Sequence, residues 1–149
     1  MNLLLNLPPG LTGLEQLRHL IELGGRPPIG ETLDITLVDA GDGFAAFEGH
    51  PGVAAFNAMG TVHGGYAAVL LDSACGCAAH SRLSATQAYT TLELKVAYHK
   101  PMDEKTGKVR AEGRVIIMGR RAGFVEASLK DEMGKLYATA TSTLLIFDR

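Results

Sequence analysis

Residues 66–80 read Tyr-Ala-Ala-Val-Leu-Leu-Asp-Ser-Ala-Cys-Gly-Cys-Ala-Ala-His, small or apolar almost throughout. A segment apolar on all faces is a helix buried by its surroundings, not one lying on a surface. The rest of the chain must therefore wrap it. Between Glu48 and Arg82 the only formally charged residue is Asp72. A carboxylate in such company is costly to bury unless it is paired, hydrogen-bonded or protonated. Asp72 is the first residue that needs a chemical explanation.

The flanking patterns supply the wrapping. Thr12-Gly-Leu-Glu15 is a capping box, followed by Leu14, Leu17 and Ile21 at helical spacing, and Gly24-Gly25 with Pro27-Pro28 ends that helix. Residues 29–40 alternate Leu33, Ile35 and Leu37 against polar neighbours, which predicts a strand; Gly41-Asp42-Gly43 then turns the chain into a second strand over 44–49. The buried helix is expected to end near Arg82. Beyond it, strands are expected over 89–99, 109–118, 124–130 and 135–147, joined by polar or glycine-containing turns. Helix, two strands, long helix, four strands is the order of an α+β domain with one antiparallel sheet wrapped on a central helix. A single domain over 1–149 is expected, with 1–28 as its N-terminal helical segment. One sheet and one helix leave the outer sheet face and the edges uncovered, so a homodimer at least is expected.

With 46% hydrophobic and 20% charged residues, the chain is ordinary for a globular domain. Its net charge of −2 offers no general attraction to nucleic acid or to anionic membranes, so an anionic ligand would need a local basic patch. The opening Met-Asn-Leu-Leu-Leu-Asn-Leu has no positive segment and meets Pro8-Pro9 too soon for a signal peptide. Asp72, His80 and Arg82 interrupt the longest apolar run, which is then too short to span a bilayer. A cytoplasmic location is expected. Cys75 and Cys77 stand two apart, on different sides of a helix, and read as core fillers instead of a disulfide or a metal clip. His50, His63, His80 and His99 lack metal-ligand spacing, so no metal or resident cofactor is expected.

Several residues could carry chemistry. His63-Gly64-Gly65 stands just before the helix, where backbone N–H groups and the helix dipole attract negative charge. That is either an oxyanion hole or a tight turn needing glycine. Asp72 is suited to general-base or nucleophilic work. Asn57 could form a turn or aim its carboxamide at a water or carbonyl, and Thr90 or Thr91 could bring a hydroxyl near Asp72.

Gly60-Thr-Val-His-Gly-Gly-Tyr, with Asp72 nine residues after His63, resembles the hotdog-fold acyl-CoA thioesterases of the PaaI-like group from the phenylacetate pathway. The likeness runs from about Asn57 onward and includes Val96-Ala-Tyr-His-Lys-Pro101, Gly119-Arg120-Arg121 and Asp131-Glu-Met-Gly-Lys-Leu-Tyr-Ala-Thr-Ala. It implies dimers, often paired into tetramers, with active sites between subunits. The Gly64 N–H would polarise the thioester carbonyl beside His63. Asp72 of the neighbouring subunit would act as base or nucleophile, while Asn57 and Thr90 place the attacking water. Gly65, Phe56, Met59 and Tyr66 would line the acyl site, and Lys95, His99, Lys100, Arg120 and Arg121 are the candidates for the phosphates of coenzyme A, itself part of the substrate. Two other readings compete: a hotdog hydratase or dehydratase acting on thioesters, whose acid/base pair His63 and Asp72 could mimic although the His-Gly-Gly spacing matches thioesterases better, and a non-catalytic acyl-CoA-binding protein.

Overall fold

In the computed structural model, residues 6–149 are described; Met1–Leu5, part of the stretch weighed above as a signal peptide, lie outside them. The first helix, α1, spans Gly13–Glu22. It begins as the capping box requires, the Thr12 hydroxyl accepting from the Glu15 amide and the Glu15 carboxylate accepting from the Thr12 amide at 2.8 Å. Leu17, 2% exposed, is its anchor in the core.

The strand expected from residue 29 begins later. Pro28–Leu33 is a short helix, α2, with Pro28 preset for the first turn. The Arg26 guanidinium holds its far end, donating to the Gly30 carbonyl at 3.1 Å, the Asp34 carboxylate at 2.7 Å and the Ile35 carbonyl at 3.2 Å. Asp34 leaves the helix in the left-handed region at φ 52°. The strand β1 is therefore Ile35–Gly41, paired with β2, Phe44–Gly49. Leu33 fits both periodicities, which is why the helical turn was hidden in the alternation.

A single 3-10 turn, Val53–Ala55, leads toward the long helix α3, Gly64–His80. Four strands follow: β3 (Gln87–Tyr98), β4 (Val109–Met118), β5 (Ala122–Asp131) and β6 (Leu136–Asp148). Together the six form one antiparallel sheet in the order β1-β2-β4-β5-β6-β3. The sheet wraps α3, and Leu70, Leu71, Ala74 and Cys75 are fully buried with Val109, Ala111, Leu129 and Leu144. The small residues let strand and helix backbones meet, most closely where Gly113 faces Ala74.

One stripe of α3, formed by Ala68, Val69, Asp72 and Ser73, is only partly covered. It lies beside β3, an edge strand of the sheet. A long edge with unpaired backbone groups is open to pairing with another chain.

At the other end of α3, His80 is 5% exposed, with its Nε2 2.9 Å from the Gln16 side-chain oxygen and its ring edge-on to Tyr89. Burial first, and the charge of Arg149 second, push its pKa down to about 4. The unfolded chain titrates near 6.5, so below that pH it takes up a proton the folded state refuses. Stability is thus lost as pH falls from about 6.5 toward about 4. The urea midpoint should drop between about pH 7 and about pH 4.5, and His80→Gln should blunt the drop. An equal drop in that variant would assign the acid sensitivity to other groups.

Candidate active site

The turn before α3 is built by its own side chains. Asn57 Oδ1 accepts from the amides of Met59 at 2.9 Å and Thr61 at 3.3 Å, while its amide nitrogen donates to the Thr61 hydroxyl at 2.9 Å. Within one chain the Asn57 carboxamide is thus spent on shaping the loop. Backbone bonds from His63 to Ala55 at 2.8 Å and from Val62 to Met102 at 3.0 Å pin the loop's end.

His63 caps α3, its Nδ1 accepting from the Gly65 amide at 2.8 Å. A neutral imidazole held this way carries its proton on Nε2. The Tyr66 amide donates to the His63 carbonyl at 2.9 Å. Among the described residues the Gly64 N–H has no acceptor. An unengaged amide at the positive end of a 17-residue helix is a ready donor to a developing oxyanion. A cavity of about 290 Å³ adjoins it, walled by Val62, Gly64, Ala67, Tyr98, Lys100 and Met102 among others.

Asp72 lies elsewhere on the helix, and its Oδ1 accepts from the Thr91 hydroxyl at 3.0 Å. Thr90, the residue favoured from the resemblance, is exposed and points to the opposite face of β3. The cause is a β-bulge at Leu92, where the pairing with β6 shifts between Thr91 and Glu93. Before the bulge Tyr89 and Thr91 face α3; after it Leu94 and Val96 do, while Leu92 is 61% exposed. Beside Asp72, the Cys75 and Cys77 thiols are free, and burial with the Asp72 charge pushes both up to about 12. Burial likewise raises the Tyr89 phenol. Neither thiol is ionised at neutral pH, which leaves the carboxylate as the reactive group of this cluster.

The two clusters are separate within one chain. Gly64 and Asp72 are eight positions apart on α3, roughly 12 Å along the axis at 1.5 Å per residue. No single thioester carbonyl can meet both. The residues expected to line an acyl site are dispersed as well: Met59 is 84% exposed, Tyr66 is 3% exposed within the core, and Phe56 packs partly buried against it. The Tyr66 phenol oxygen abuts Gly49 without a hydrogen-bond partner. Gly65 gives its amide to His63. His99 and Lys100 flank the Gly64 cavity, Lys95 lies on the outer sheet face with Arg114 and Lys130, and Arg120 with Arg121 lies beside Gln87 and Phe147. Since β3 runs Gln87–Tyr98, the last group is some 36 Å along the strand from the first at about 3.3 Å per residue. Tyr98, absent from the sequence-based candidates, belongs to the site: its hydroxyl donates to the Gly64 carbonyl at 2.9 Å.

Residues 59–138, more than half of the chain, match the thioesterase superfamily. A conserved protein from Pseudomonas aeruginosa is 30% identical with a TM-score of 0.76, the match covering 82% of this chain and 95% of that one. A thioesterase family protein from Silicibacter pomeroyi is 25% identical with a TM-score of 0.79, over 89% of this chain and 99% of its own. The PaaI protein from the phenylacetic acid degradation operon of E. coli shares the fold at 18% identity and a TM-score of 0.78, over 91% and 94%. Among curated proteins none matches. The chain belongs to the thioesterase superfamily and has its hotdog fold.

Proposed function

We propose that the protein is an acyl-CoA thioesterase that works as a homodimer with two composite sites. The observation that carries this reading is the division of the site: an unengaged amide at Gly64, and a hydroxyl-held carboxylate at Asp72 about 12 Å away beside an open sheet edge. A second copy unites them. Antiparallel pairing of two β3 edges centred on Lys95 sets Leu94 of one copy opposite Val96 of the other and, past the bulged Leu92, Thr91 opposite Tyr98. Asp72 of the first then approaches Gly64 of the second. The same two-fold brings Arg120 and Arg121 of one copy toward Lys100 of the other, which would gather the divided basic residues for the phosphates of coenzyme A.

In this arrangement the thioester oxygen accepts from the Gly64 N–H, beside the Nε2–H of His63. Asp72 takes a proton from water as the water oxygen bonds to the carbonyl carbon. The oxyanion is held by the helix terminus until it collapses, the C–S bond breaks, and the thiolate leaves with the proton returned by Asp72. Direct attack by Asp72, giving an anhydride that water opens, uses the same groups. The acyl group is a small aryl or medium-chain one. Exposed Ile116, Ile117 and Phe124 on the outer sheet face offer a surface on which two dimers pair into a tetramer.

The test is thiol release from a panel of aryl-acetyl, hydroxybenzoyl and medium-chain acyl-CoA thioesters, with Thr90→Val and Thr91→Val as paired variants. At least one thioester should turn over, and Thr91→Val should slow it by about tenfold while Thr90→Val stays near wild type. No thiol release from any member of the panel would sink the reading.

A further inference from the structure

We infer that Tyr98 is a positioning residue for the helix terminus, setting the Gly64 amide in place by gripping the peptide next to it. This rests on the thioesterase reading above and goes beyond it. Gly64-Gly65 is the least constrained dipeptide of α3, since neither residue has a Cβ. Yet the peptide that joins them is held at both ends. Its carbonyl, from Gly64, accepts from the Tyr98 hydroxyl at 2.9 Å. Its N–H, from Gly65, donates to His63 Nδ1 at 2.8 Å.

Two side chains on separate elements thus fix one peptide plane, and it adjoins across the Gly64 Cα the plane that carries the unengaged Gly64 N–H, whose own carbonyl accepts from the Tyr66 amide at 2.9 Å. The two bonds also reinforce each other. A donor on the carbonyl polarises the same amide's N–H, strengthening its bond to His63 and keeping the imidazole proton on Nε2, toward the cavity. The Tyr98 ring adds a steric limit: a Cβ on Gly64 would lie 3.2 Å from three of its atoms. Tyr98 is nevertheless 56% exposed and part of the cavity wall, so its hydroxyl is not there to anchor the core. It is the final residue of β3, the same strand that carries Thr91. One strand then orients both halves of the chemistry, the carboxylate through Thr91 and the amide through Tyr98.

Tyr98→Phe keeps the ring and removes only the hydroxyl. Steady-state kinetics on the best thioester of the panel should show kcat reduced about five- to tenfold with KM within about twofold, since the lost bond shapes the oxyanion donor and not ground-state binding. In amide proton–nitrogen spectra the Gly65 resonance should move upfield, and amides remote from α3 should not. Unchanged kcat, a raised KM at unchanged kcat, or a fall in kcat without the Gly65 shift would each overturn the inference. A wild-type protein without turnover would instead sink the thioesterase reading, leaving the Gly65 shift to judge the grip by itself.

Discussion

Replacing Asp72 by Asn is expected to reduce thioester turnover by about 10²–10⁴-fold while the protein stays folded. The carboxamide has nearly the shape of the carboxylate and can still accept the Thr91 hydroxyl bond seen at 3.0 Å. What it cannot do is take a proton from water or attack a carbonyl. Asp72 is only partly buried and makes no salt bridge among the described residues, so removing its charge breaks no ion pair. The thermal midpoint should therefore stay within about 2 °C of wild type. Thiol-release kinetics on the purified variant, beside a thermal melt, make the measurement. Turnover within about tenfold of wild type would remove Asp72 from the chemistry and leave the helix terminus acting alone.

Gly113→Ala is expected to cost about 1–3 kcal/mol of stability, read as a fall of roughly 3–10 °C in the thermal midpoint. Gly113 sits in β4 between Ala45 of β2 and Ala127 of β5, facing the middle of α3. A methyl group there would land on the carbonyl of Ala74 and lie 2.9 Å from the Cys75 amide nitrogen. Those are backbone atoms of a helix and have no rotamer to escape into. Either α3 lifts or β4 bends, and a lifted α3 also carries Asp72 away from Thr91. Turnover should thus fall together with stability, unlike in Asp72→Asn. Gly52→Ala, where nothing lies within 4 Å, is the matched control and should leave the midpoint unchanged. An unaltered midpoint in Gly113→Ala would mean that sheet and helix stand further apart.

Much of this architecture is legible because its signals are local. The apolar run at 66–80 could only be a wrapped helix, the Thr12 capping box marks α1, and β1 follows from the alternation of Ile35 and Leu37. The short helix α2 escaped because its stability comes from Arg26 reaching across to Gly30, Asp34 and Ile35, contacts no periodicity records. Thr90 is the hydroxyl the resemblance implies, and nothing local in the sequence speaks against it. The apolar parity of Leu92, Leu94 and Val96 continues back to Thr90, and only the bulge at Leu92 reverses it. A bulge is a matter of pairing with β6, residues 136–148, far along the chain. Asn57 was readable both ways, and its geometry favours the turn within one chain. That Gly64 and Asp72 fall in different places needs only the helical rise, which was available from residue numbers alone.

The small residues set between Tyr66, Leu70 and Leu71 on the buried side of α3, where Ala67, Ala74, Ala78 and Ala79 are at most 1% exposed, have a consequence for variation. Enlarging any of these positions would overpack the seam between sheet and helix, at a typical cost of about 1–3 kcal/mol. Exposed Ala58, Met59, His99, Lys100 and Pro101, which border the helix start, can be replaced at little cost to the fold. The chassis is thereby constrained by geometry while its mouthpiece is left free to vary.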